Sequence, residues 1–179
     1  LTVNRALFYG VGMKSAKLLL FSVLALLFSG CAGYRVGSTL PDSIRTVSVS
    51  VVNETDEPSI EVAVMKALRA ELQMDGRLAI RSQDEADAAM VVTLRKFELE
   101  ALAFNRRQGT RAEEYRMTLT SSVVLRDAEN NEVIMENPSV LGEAEFLFSS
   151  DLTSSKRTAM PEAAADLARK AVSLTVHAW

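Results

Sequence analysis

The chain of 179 residues has one cysteine, one histidine and one tryptophan. A lone cysteine excludes an internal disulfide and any cysteine-based metal site. A lone histidine, His177, stands two residues from the C-terminus at the end of a helical pattern, where the helix dipole favours it. No Gly-x-Ser-x-Gly elbow, phosphate loop or metal-ligand spacing occurs. Glycine and proline number 8 and 4, and neither a low-complexity segment nor an internal repeat is present. No apolar run is long enough to span a bilayer: Leu18–Phe28 is 11 residues against the ~20 required.

That short run is nevertheless informative. Lys14 and Lys17 precede it, and it ends in Leu27-Phe28-Ser29-Gly30-Cys31. A basic head, an apolar middle and small residues before a cysteine have the form of a lipoprotein signal peptide. The expectation is cleavage before Cys31, a diacylglyceryl group on its thiol and an acyl chain on its new amine. No other cofactor is expected. Residues 1–12 precede a natural start at Met13 and read either as a start-codon artefact or as an extended n-region. An Asp after the cysteine would retain a bacterial lipoprotein in the inner membrane, so Ala32 favours the outer membrane. Several acyl chains anchor firmly where one binds marginally. The expected division is therefore a signal peptide over 1–30, a lipidated N-terminus and short tether over 31–41, and one domain over 42–179.

All 23 acidic residues follow Cys31, whereas Arg5, Lys14 and Lys17 precede it. The mature chain is thus acidic, by about six charges, which argues against nucleic acid as a partner. A domain of this size buries roughly 70% of its unfolded surface and folds without staples.

Val47, Val49 and Val51 alternate with Thr46, Ser48 and Ser50, which predicts a half-buried strand over Arg45–Val52. Ile60, Ala63, Val64, Ala67, Leu68 and Leu72 recur at helical spacing. Gly76 follows where a C-cap belongs, so Ser59–Asp75 reads as a helix. Leu78–Ile80 is a brief apolar segment. Ala89–Phe104 reads as a long strand whose apolar phase changes from even at Val92 and Leu94 to odd at Phe97 and Leu99. That slip predicts a bulge near Arg95-Lys96. Glu114–Arg126 and Val133–Phe148 continue as strands, joined by turns at 105–110 and 127–132. Pro138 favours an edge position or a bulge. Ser149–Thr158 is polar. Met160, Ala164, Leu167, Ala168, Ala171, Val172 and Thr175 then mark a second helix, with Pro161 in its first turn. The predicted architecture is α+β. It is a two-layer sandwich of order β-α-β-β-β-α, with a four-stranded, mostly antiparallel sheet and two helices on one face.

Several segments in this order carry a resemblance. They are Cys31-Ala32-Gly33-Tyr34-Arg35-Val36, Ile44-Arg45-Thr46-Val47-Ser48-Val49 leading into Asn53-Glu54-Thr55, Ala86-Asp87-Ala88, Glu114-Tyr115-Arg116-Met117-Thr118-Leu119, and Gly142-Glu143-Ala144. Together they resemble the LptE family of lipopolysaccharide-assembly lipoproteins. The resemblance implies a non-enzymatic outer-membrane lipoprotein, lipid-anchored at the periplasmic face. Such a protein plugs the β-barrel LptD and assists it in inserting lipopolysaccharide into the outer leaflet. An adaptor or pilotin for another envelope complex is the alternative reading.

Candidate contacts with lipopolysaccharide or the barrel are cationic. Arg106, Arg107 and Arg111 flank the turn between the second and third long strands, and Arg95, Lys96 and Arg116 lie on the strands that lead to it. Arginine grips phosphate bidentately, and lipid A presents phosphates. The acidic pairs Glu98/Glu100 and Glu143/Glu145 fall at period two and read as a solvated strand face.

Overall fold

A computed structural model of the chain describes residues 40–41, 43–105, 111–149 and 151–176. Cys31, Arg106, Arg107 and His177 lie outside the described residues. Strand β1 (Thr46–Asn53) leads to helix α1 (Ile60–Asp75), and strands β2 (Ala79–Ile80), β3 (Ala88–Asn105), β4 (Arg111–Asp127) and β5 (Val133–Leu147) precede helix α2 (Leu152–Val176).

The sheet corrects the expectation in two respects. It has five strands rather than four, in the order β2-β1-β3-β4-β5, because Ala79–Ile80 pairs with Thr46 and Val47. It is mixed rather than mostly antiparallel. β1 runs parallel to both β2 and β3, while β3–β4 and β4–β5 are antiparallel. The cause is connectivity: the chain leaves β1 through a helix and re-enters the sheet in the same direction, whereas short turns reverse it. Side-chain periodicity reports which face a residue occupies and is silent on strand direction.

One face of the sheet is covered. Val47, Met90, Val92, Leu94, Met117, Leu119, Val123 and Leu125 are buried there, beneath Ile60, Val64, Leu68 and Leu72 of α1 and Ala164, Leu167, Ala168 and Ala171 of α2. The opposite face carries half-exposed Ser48, Thr93, Thr118 and Thr120. The phase slip is real: Leu94 pairs with Ser121 and Lys96 with Thr120, so Arg95 is the extra residue of a bulge. Pro138 satisfies both of its expected settings, since β5 is an edge strand and its register slips between Val140 and Asn137. Gly76 caps α1 at φ 72° with its N–H on the Leu72 carbonyl.

Helix α2 departs from expectation. It begins at Leu152, so Pro161 lies well inside it rather than in its first turn. Residues that read as loop instead form the first turns, which Asp151 caps. Asp151 Oδ1 accepts the Ser154 N–H at 2.7 Å, and Ser155 Oγ donates to the Asp151 carbonyl at 2.9 Å. Such short polar side chains favour helix ends and turns alike, which makes the start hard to place from composition.

Three of the segments that carried the resemblance hold structural locks, at Asp87, Asn53 and Gly142. Asp87 Oδ2 accepts the N–H groups of Arg45 and Thr46 at 3.0 and 2.9 Å and the Thr46 hydroxyl at 2.7 Å. This clamps the start of β1 to the start of β3, and it holds the Asp87 carboxyl below the usual range, chiefly through the Thr46 hydroxyl. Asn53 closes the loop into α1. Its amide donates to the Glu57 carbonyl and to Glu61, and its carbonyl accepts from the N–H and hydroxyl of Thr55. Gly142 lets α2 approach β5: a Cβ there would lie 2.5 Å from both the Ala163 carbonyl oxygen and Leu167 Cβ.

Candidate functional site

The ribbon β3–β4 outruns β1. The last β1 pair is Asn53 with Leu94, while β3 continues to Asn105, which pairs with Arg111. At ~3.3 Å per residue the ribbon projects roughly 30 Å beyond the end of β1. Its tip carries Arg111 at the start of β4, with Arg106 and Arg107 outside the described residues. Towards this end, Tyr115 stacks on Phe146 across β4–β5, with centroids 5.8 Å apart.

The other predicted cations are brought to the open face and are engaged there. The bulge leaves Arg95 and Lys96 both exposed. Arg95 bonds Glu54 and the Ser122 hydroxyl, each at 3.3 Å, and Lys96 pairs with Glu98 at 2.8 Å. Arg116 faces Glu100 on one neighbouring strand and Glu145 on the other. Its guanidinium bonds Glu145 at 2.6 and 3.1 Å, and that carboxylate above all pushes its pKa up further. The acidic pairs are thus exposed strand-face residues, as their spacing predicts, and Glu98 and Glu145 also serve as ion-pair partners.

A second basic region was not legible in the sequence. A groove of about 690 Å³ lies between the N-terminal ends of the two helices. Pro58, Val62, Ala63 and Met160 line it, with Lys66, Lys156 and Arg157 around them. Lys156 spans the layers: its ammonium is 2.7 Å from Glu57 and 5.6 Å from the Phe97 ring centroid. The groove combines an apolar lining with cations from two helices some 90 residues apart in sequence. No local motif could have announced it. Such a surface can hold an amphiphile with an anionic head.

A mixed sheet backed on one face by two helices, with a projecting ribbon and an amphipathic groove rimmed by cations, has the form of a domain that binds through its surfaces. The family model described as LptE, lipopolysaccharide-assembly, matches residues 44–174, and the chain belongs to that family. The family is one of non-enzymatic lipopolysaccharide-assembly lipoproteins. Among solved structures, a DUF330 protein from Xanthomonas campestris is similar at 11% identity and a TM-score of 0.53, covering 80% of this chain and 88% of its own. A lipoprotein from Caulobacter crescentus is similar at 15% identity and a TM-score of 0.49, covering 72% of this chain and 88% of its own. A minor lipoprotein from Acinetobacter baumannii is similar at 14% identity and a TM-score of 0.45, over 73% and 92%. At 11% identity the likeness to the Xanthomonas campestris protein is one of fold. No curated protein matches the chain. Among the described residues no helix is long and apolar enough to cross a membrane.

Proposed function

We propose that the protein is held at the periplasmic face of the outer membrane by the acyl chains on Cys31, binds and plugs the LptD barrel, and assists lipopolysaccharide assembly by stoichiometric binding. The family match across both layers of the domain is the observation that carries this reading. The extension of β3, β4 and β5 past the end of β1 supports it, because that end can enter a barrel lumen ahead of the rest of the domain. Phosphate recognition is assigned to the tip arginines Arg106, Arg107 and Arg111. Arg95, Lys96 and Arg116 contribute less, since each is already bonded to a carboxylate of its own domain.

Depletion should lower mature barrel and surface lipopolysaccharide together; normal amounts of both after complete depletion reject the role. Replacing Arg106, Arg107 and Arg111 with Ser should weaken binding of purified lipopolysaccharide at low salt and leave the melting temperature nearly unchanged, because exposed charges contribute little to folding. Unchanged affinity in that folded variant removes the tip from the binding site.

A further inference from the structure

The two edges of the sheet are finished differently. On β1 the odd residues turn their backbone groups towards β2: the carbonyls of Arg45 and Val47 accept the N–H groups of Ala79 and Arg81 at 2.9 and 3.0 Å. The chain then leaves the sheet. By the strand repeat, the N–H and C=O groups of Val49 and Val51 face the same way, and among the described residues no backbone partner meets them. Among the described residues Val49–Asn53 is therefore an open edge, long enough for a strand of about five residues.

Beside it runs a groove of about 600 Å³ between β1 and the outer side of α1. Val51, Val62, Met65 and Ala70 give it an apolar surface, and Lys66 and Arg69 rise from the same helix. Val62 is 65% exposed. Among the described residues neither Lys66 nor Arg69 has an ion-pair partner, whereas Glu61 at the groove's end is engaged by Asn53.

We propose that this edge accepts an extended segment of another polypeptide as a sixth strand, with apolar and acidic side chains turned towards α1. The open backbone groups supply strand pairing, the groove takes the apolar side chains, and Lys66 and Arg69 select carboxylates. This surface is separate from the tip arginines and does not depend on the glycolipid reading.

The probe is a labelled heptapeptide, Thr-Val-Thr-Glu-Thr-Val-Thr, titrated into the purified protein. Anisotropy gives its affinity and hydrogen exchange locates it. Binding should slow exchange at the Val49 and Val51 amides. Lys66→Glu with Arg69→Glu, both at exposed helix positions, should weaken binding by about tenfold and favour a peptide with Lys in place of Glu. Val51→Pro should also weaken it, because it removes an edge-facing N–H and leaves the β3 pairing of the even residues in place. An N-methylated peptide should not bind. Absence of binding, equal binding of the N-methylated peptide, or protection confined to other amides overturns the proposal. So does protection of Val49 and Val51 before peptide is added, which would mean that a second copy or the chain's own N-terminal segment already fills the edge. Dilution would separate those two.

Discussion

β5 is one edge of the sheet, and β1 becomes the other past Val47, where the two-residue β2 ends, yet the two edges are finished in opposite ways. β5 is shielded. The Glu143 N–H donates to Asp166 Oδ2 at 3.1 Å, and the Leu141 carbonyl accepts from Lys170 Nζ at 2.9 Å. Asp166 and Lys170 are themselves paired at 2.7 Å, one turn apart on α2, and Pro138 and a register slip interrupt the strand further along. Helix side chains thus occupy edge groups that a foreign strand would need. β1 receives two residues of β2 and, among the described residues, no such shield beyond them. A domain that guards its long edge and leaves its short one open localises strand addition instead of preventing it.

The largest way to break this contrast is through the layer that both edges share. Leu68 is fully buried on the sheet-facing side of α1, so Leu68→Ala should cost about 2–5 kcal/mol as a core truncation. Chemical denaturation measures it, and a midpoint shift no larger than that of a surface control would contradict the helix phase. Gly142→Ala acts on the guarded edge alone. Its new Cβ would collide with Ala163 and Leu167 of α2, and overpacking of this kind costs about 1–3 kcal/mol. Separation of α2 from β5 should raise exchange at the Glu143 amide while leaving Val49 and Val51 unaffected.

The finest test is by pH. Burial opposes the charge of Asp166, but hydrogen bonds from Lys170, Arg169 and the Glu143 N–H prevail and hold its carboxyl below the usual 3.8. A depressed folded pKa stabilises the native state above the ordinary carboxylate range, and the contribution is lost as pH falls through the depressed value. Asp166→Asn should therefore lower stability at neutral pH and flatten the acid limb of the pH–stability curve. An acid limb identical to that of the parent would show that Asp166 does not guard the edge.

Much of the fold was legible because side-chain period tracks burial closely here. The bulge at Arg95, the α1 stripe, the Gly76 cap and the α2 face from Met160 to Thr175 all follow from spacing. What the spacing missed has physical causes. β2 is two residues long, too short to show a period. The first turns of α2 are built from serines and threonines that suit loops equally well. The helix-end groove and the β1 edge are assembled from residues distant in sequence, as Pro58 meets Met160 and Val51 meets Arg69.

The sequence by itself determined which residues are apolar together and which turn the chain, because periodicity and cap chemistry act over a few residues. It also carried the family. Strand direction, the capping of Leu141 and Glu143 by α2, the partners that engage Arg95, Lys96 and Arg116, and the open backbone of Val49 and Val51 were decided by tertiary structure alone. Hydrogen bonds and ion pairs form between whatever the fold brings within about 3 Å, and no local pattern records which residues those will be.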